Sequence, residues 1–258
     1  MIFEPLKPVS RGVRIALGTV FFVLFLGAWA LVTWGGIIDP MFLKTPLETL
    51  VTGYNLFAQF NFINDVGITL FRVVGGFVLA AVVAVPLGIM MGAFKPVEAF
   101  FEPFISFARY LPASAFIPLL ILWAGIGEAE KLLVIFIGSV FQVILMVAGV
   151  VGSTRKDLVE AAYTLGADAS GIVRRVMLPG AAPQIAETLR LVLGWAWTYV
   201  IVAELVGAET GIGHMIMDSQ RMLDTGQMIF GIFIIGVIGL VTDLAFKWFN
   251  RKLYPWAF

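Results

Sequence analysis

The sequence predicts an all-α integral membrane protein with six transmembrane helices and both termini in the cytoplasm. Three observations lead there. Of the 258 residues, 60% are hydrophobic and only 13% charged, with mean hydropathy +0.98, far from the composition of a water-soluble domain. The apolar residues gather into six runs, each long enough to cross a hydrocarbon core about 30 Å thick. Basic residues are divided unevenly between the intervening segments. Lys7, Arg11, Arg14, Lys95, Arg155, Lys156, Arg174, Arg175, Lys247, Arg251 and Lys252 fall on one side, and Lys44, Lys131 and Arg221 on the other. The richer side is cytoplasmic by the positive-inside bias.

The elements follow in order. An N-terminal arm, residues 1–14, precedes the uncharged run Ile15 to Trp34. Ala28-Trp29-Ala30 has the form of a signal-peptide cleavage site, but the run is longer than a signal core and continues past it, so an uncleaved first helix is expected. Residues 15–64 comprise this helix and an external segment broken by Pro40 and Pro46, with a short interfacial helix from Leu47 to Phe60. A core domain spans residues 65–248. Its first span, Val66 to Ala93, carries Gly76, Ala80, Ala84, Gly88 and Gly92 at intervals of four, a face on which a second helix can approach closely. Pro86 should bend it.

Phe94 to Glu102 is expected to turn on the inside. In the next span, Pro103 to Trp123, Arg109, Pro112 and Pro118 predict a broken helix, tolerated in a bilayer only where freed backbone groups face protein or a water-filled cavity. Gly125 to Lys131 returns outside, and Leu132 to Val151 forms the fourth span. A cytoplasmic loop, residues 152–180, is followed by a fifth span from Pro183 to Val206, a polar segment from Gly207 to Asp224, a sixth span from Gln227 to Phe246, and a cytoplasmic tail, residues 249–258.

The loop holds the most informative stretch, E-A-A-Y-T-L-G-A-D-A-S-G-I-V-R-R-V-M-L-P from Glu160 to Pro179. Leu158, Val159, Ala162 and Leu165 have helical spacing. Gly166 is free to take a conformation that a Cβ resists. A second short helix follows, with Ile172, Val173 and Val176 on one side and Arg174 and Arg175 on the other, ended by Pro179. Such a knuckle suits a partner's groove; an ordinary solvated basic loop is the plainer alternative.

The spacing of Glu160, Ala161, Ala162, Gly166, Val176, Leu178 and Pro179 resembles the cytoplasmic motif of bacterial ABC importer permeases, with Val176 where that family more often has Ile. R-Y-L-P-A-S-A-F-I-P-L-L-I-L-W-A-G-I-G (Arg109 to Gly127) and A-E-L-V-G-A-E-T-G-I-G (Ala203 to Gly213) are similar to permeases of nitrate, taurine, sulfonate and bicarbonate importers. The resemblance covers roughly Asp65 to Trp248. It implies a type I ABC importer permease fold in the bacterial cytoplasmic (inner) membrane. It also implies a second copy of the chain, two cytoplasmic ABC ATPase subunits docked on the Glu160 loop, and an extracytoplasmic substrate-binding protein. ATP and Mg would sit on the ATPase, since this chain holds no G-x-x-x-x-G-K-[ST] loop. Family likeness points to a small anion, with an uncharged heterocyclic compound as the alternative.

Ionisable groups inside spans are costly and need a reason. Arg72 and Arg190 lie about two turns from span ends, where they can snorkel, and Glu187 is one turn from Arg190. Arg109 can face the cavity of an anion carrier, although it lies near the cytoplasmic end of its predicted span. Ser139, Gln142 and Thr198 are uncharged polar groups suited to a pathway or to tying helices together. Trp123, Trp195, Trp197 and Tyr199 can line a gate or simply pack; Glu204 is read as shaping the external gate or a helix terminus. Zero net charge gives no reason to expect nucleic acid, and with no Cys and a lone His214, metal and thiolate chemistry have no basis. A self-sufficient secondary transporter would want an ion relay deep in its spans, and a membrane enzyme a converging catalytic set such as H-E-x-x-H or G-x-S-x-G.

Overall fold

The computed structural model describes residues 9–257; residues 1–8, including Lys7 of the N-terminal arm, and Phe258 lie outside the described residues. Among the described residues every regular element is helical. Five helices are long and apolar enough to cross a membrane, or six spans if one bent pair counts as a single crossing. The chain divides into two compact units, residues 1–61 with 218–230, and residues 62–217 with 231–258.

In the first unit α1 (Arg11–Trp34) buries only Thr33 within the subunit. Helix α2 (Pro46–Gln59) starts at a reciprocal cap. The Thr45 hydroxyl accepts from the Glu48 N–H at 3.2 Å, and the Glu48 carboxylate accepts from the Thr45 N–H at 3.0 Å. That backbone bond, with the Thr45 hydroxyl second, holds the exposed Glu48 carboxyl below its usual range. Gly53 leaves room for the Phe230 ring, which Phe57 meets edge-on at 6.2 Å.

The second unit contains α3 (Phe62–Ala93), α4 (Lys95–Ala108), a 3-10 turn (Ala113–Phe116) running into α5 (Ile117–Ala124), and α6 (Glu128–Gly152). The short helices α7 (Lys156–Thr164) and α8 (Ala169–Ile172) follow, then a π turn (Val173–Met177) and α9 (Leu178–Leu205). Helices α10 (Ile212–Arg221) and α11 (Thr225–Leu253) each contribute residues to both units. The small-residue stripe of α3 lies against α6, as its spacing predicts. A Cβ on Gly76 would stand 2.7 Å from the Ile135 Cβ, one on Gly88 2.7 Å from the Ile144 carbonyl oxygen, and one on Gly92 2.5 Å from that of Ala148. Ala80 and Ala84 between them are fully buried. Helix α9 covers the other side of α6 with Val192, Ala196 and Val200. There Gly138 leaves space for the Tyr199 ring, whose nearest atom would be 2.6 Å from an added Cβ. In lipid, where no hydrophobic effect drives helices together, this depth of approach supplies the packing energy.

The predicted broken span is broken: α4 and the 113–124 segment meet at 83°, with Pro112 opening the 3-10 turn and Pro118 in the first turn of α5. Several boundaries differ from those read in the sequence. Phe94 to Glu102 is not a turn, because only Phe94 interrupts the helices; Pro96 sits in the first turn of α4, where a missing N–H costs little. Lys131 belongs to α6, not to a loop, and is buried, its ammonium donating to Gly127 O at 3.1 Å and Glu130 Oε2 at 3.3 Å. Pro179 does not stop the second loop helix. The Leu178 N–H donates to Val173 O, five residues back, and this wider register carries the chain past the carbonyl that Pro179 cannot serve, so helix is continuous from Ala169 to Leu205.

Replacing Gly88 by Val should overpack the α3–α6 seam and cost about 1–3 kcal/mol, whereas Gly149→Val, with nothing within 4 Å of the new Cβ, should be nearly neutral. Thermal unfolding of the two detergent-purified variants checks this; equal midpoints would refute the seam.

Candidate functional site

The Glu160 stretch folds as a closed corner. Helix α7 ends with Gly166 at φ +83°, the Gly166 N–H donating to Tyr163 O at 2.9 Å and the Ala167 N–H to Ala162 O at 3.0 Å. This pair is a Schellman cap, and it explains the motif's spacing: Ala162 supplies the acceptor that closes the turn, and Gly166 the left-handed residue that makes it. Asp168 then caps α8, accepting from the Gly171 N–H at 3.0 Å. Arg155 pairs with Asp157 at the start of α7 and, through that hydrogen bond first, holds the exposed Asp157 carboxyl below its ordinary range. Val159, Ala162, Ala167 and Val173 pack onto the core together with buried Ile172 and Met177. The other side stays open, with Leu158, Tyr163 and Leu165 47%, 57% and 87% exposed. Glu160, Ala161 and Pro179 are exposed on this corner, and Val176 and Leu178 are half-buried.

At the far end of α9, one buried guanidinium gathers three segments. Arg72 of α3 donates to Glu128 of α6 (Nε–Oε2 2.7 Å, Nη2–Oε1 2.5 Å), to Glu204 of α9 (Nη1–Oε1 2.8 Å) and to Thr210 O at 2.8 Å. Glu204 also accepts from Thr69 Oγ1 and from the Gly213 N–H, both at 2.8 Å. The Gly211 N–H donates to Asp65 at 2.7 Å and the Ile212 N–H to Thr69 Oγ1 at 2.9 Å. Three successive backbone donors at the start of α10 are thus satisfied by side chains, as an orphan helix N-terminus requires. Gly211 is obligatory twice over: its φ is +113°, and a Cβ there would come within 2.5 Å of the Glu204 carboxylate. Arg72 therefore does not snorkel; it is 1% exposed, because two carboxylates and a carbonyl meet it inside. Arg190 pairs with Glu187 at 2.8 Å and with Asp243. The signal for the clasp was present as opposite charges in apolar runs, but partners 132 positions apart leave no periodic trace.

Where α4 breaks, Ala108 to Ala113 face Ile137, Gly138, Phe141, Gln142 and Tyr199 across a cavity of about 150 Å³. Of the path candidates, Arg109, Gln142 and Tyr199 meet here. Ser139 is fully buried with its hydroxyl unpartnered, Thr198 donates to Trp195 O at 2.7 Å, Trp195 is exposed, and Glu204 lies in the Arg72 clasp. Trp197 is buried, its Nε1 donating to Thr242 Oγ1 at 3.3 Å.

The model of the family described as "Binding-protein-dependent transport system inner membrane component" matches residues 84–254. The chain is 32% identical over 254 residues to a taurine transport system permease protein of Escherichia coli (strain K12), covering 96% of this chain and 92% of that one. It is 31% identical over 250 residues to a putative aliphatic sulfonates transport permease protein of Bacillus subtilis (strain 168), covering 97% and 91%. With a bicarbonate transport system permease protein of Synechococcus elongatus it shares 29% identity over 184 residues, 71% of this chain and 66% of that one. Its fold matches the MetNI methionine ABC transporter in inward-facing conformations, with TM-score 0.68 at 19% identity over 74% of this chain and 95% of that chain.

Breaking the clasp from one side should be expensive, because a buried charge is left without its partner. Glu204→Gln or Arg72→Met should each cost about 3–5 kcal/mol, and the double variant much less than their sum. A thermal-unfolding double-mutant cycle in detergent measures this; additive losses would show that the two groups do not act as a unit.

Proposed function

Because the chain belongs to the family of binding-protein-dependent transport system inner membrane components, we propose a specific division of labour for it. It is an ABC importer permease, the membrane-spanning subunit through which solute passes. The α7–α8 corner is the seat of a cytoplasmic ATPase subunit. The observation that carries this reading is the corner's two-sidedness: one face is anchored in the core, while Leu158, Tyr163 and Leu165 remain uncovered, the arrangement a helix needs to lie in a partner's groove and transmit force.

Two copies of the chain would bind two ATPase subunits, which hold ATP and Mg and supply the free energy of hydrolysis; a binding protein on the opposite side delivers the solute. This chain contributes the path and the linkage, not catalysis. The solute is a small anion of the sulfonate or bicarbonate kind, or the zwitterion taurine, supported by what the relatives' names say they carry. Residues at the α4 break, with Gln142 and Tyr199, line the path. The Schellman cap and the continuous helix from Ala169 to Leu205 make the corner stiff, so that movement of the ATPase becomes movement of α9.

Glu160→Lys on the exposed corner, and Gly166→Pro, which forbids the left-handed φ and deletes the capping N–H, should insert normally yet lower ATP-driven uptake about tenfold or more, a size typical for the loss of a central interface residue. Uptake into proteoliposomes, with subunit stoichiometry of the purified complex, checks both. Wild-type transport with the ATPase bound would remove the corner from the coupling route.

A further inference from the structure

Arg72, Lys131 and Arg190, in α3, α6 and α9, each have carboxylate partners: Arg72 with Glu128 and Glu204, Lys131 with Glu130, and Arg190 with Glu187 and Asp243. Arg109 has none among the described residues. Its side chain meets Tyr110, by a 2.8 Å hydrogen bond from Nη2 to the phenol oxygen and by stacking of the guanidinium over the ring at 4.8 Å. Four of its five N–H donors remain for something else.

Its depth makes this unusual. Read from the sequence, Arg109 falls near the cytoplasmic end of a span, where a lone Arg can reach water. The structure begins α4 at Lys95, so Arg109 follows 14 helical residues, about 21 Å of rise. Phe104, one turn earlier, meets Phe141 of α6 edge-on at 6.2 Å. The cavity that Arg109 lines is closed on its other side by Ile137 to Gln142, near the middle of the 25-residue α6. Inside a bilayer, a cation level with the middle of α6, without a carboxylate partner and open to a cavity, is costly, and the cost is offset when an anion occupies the cavity. The remaining lining suits the same ligand: Gln142 offers amide donors, and the Tyr199 phenol is laid along α6 by the absent side chain of Gly138.

We propose that Arg109, with Tyr110, Gln142 and Tyr199, forms an oxyanion station halfway along the path, so that the permease itself, and not only its binding protein, selects for a small anionic group such as a sulfonate or bicarbonate. This rests on the permease reading above. A single cation with no second fixed charge attracts the anion without trapping it, as conduction requires.

The test is import of labelled taurine, ethanesulfonate and bicarbonate into proteoliposomes holding the complete complex with its binding protein. Wild type is compared with Arg109→Gln, Arg109→Lys and Gln142→Glu, with subunit stoichiometry confirmed for each. Removing the guanidinium, or setting a carboxylate opposite it, should lower import of whichever anion wild type carries by about tenfold or more, the size expected for loss of a charge-assisted hydrogen bond; Lys, which keeps the charge, should retain most of it. Import within twofold of wild type in Arg109→Gln or Gln142→Glu overturns the station while leaving the permease reading intact. Should Arg109→Gln fail to assemble, Gln142→Glu decides alone. A wild-type complex that imports none of the three solutes but carries an uncharged heterocycle overturns both the substrate class and the station.

Discussion

The buried Arg72 guanidinium is the interaction on which the arrangement of the helical core depends. Helices α3, α6 and α9 are packed along their lengths by small and β-branched residues, contacts that tolerate sliding because each methyl is much like the next. Ionic hydrogen bonds do not slide. Glu128 fixes the start of α6, Glu204 the end of α9, and Thr210 with Gly211 the turn into α10, so one side chain sets the register of three segments. Its burial requires every partner to be present at once, which is why Thr69 and Asp65, one and two turns before Arg72 on the same helix, serve the same turn.

The two ends of the core solve different problems with related chemistry. At the clasp, side-chain acceptors satisfy backbone donors that begin a helix. At the α7–α8 corner, backbone carbonyls accept from the N–H groups of Gly166 and Ala167 to end one. The first arrangement buries Arg72 and Glu204 and leaves only Glu128 partly open; the second leaves apolar side chains in the open. That contrast fits the division of labour proposed above, in which one end holds its own shape while the other receives a partner.

Much of this was legible in the residues. The four-residue repeat from Gly76 to Gly92 named the seam of α3 because close approach demands small residues at one angular position. Pro112 and Pro118 named the break because proline cannot complete a helix. The E-A-A-x-x-x-G spacing named the corner by its resemblance to a family motif, and Gly166 marked the turn because a residue without a Cβ takes the left-handed conformation found there. What stayed hidden depended on distant pairings: Arg72 reads as an interfacial Arg until Glu204 is seen beside it, Lys131 as a loop residue until Glu130 and Gly127 enclose it. The Pro179 boundary misled for a subtler reason, since a π turn lets the helix accommodate a residue that would otherwise end it.

The helical run from Ala169 to Leu205, 37 residues, is about 55 Å long at the usual rise per residue. It is a beam with a fitting at each end. The α7–α8 corner is attached to one tip and the Arg72 clasp seizes the other, so the tips cannot be displaced independently without bending the beam at Pro183 or unwinding its wide turn. A tilt of a few degrees applied at one tip displaces the opposite one by several ångströms, so a movement made at either end reaches the other with no relay of side chains.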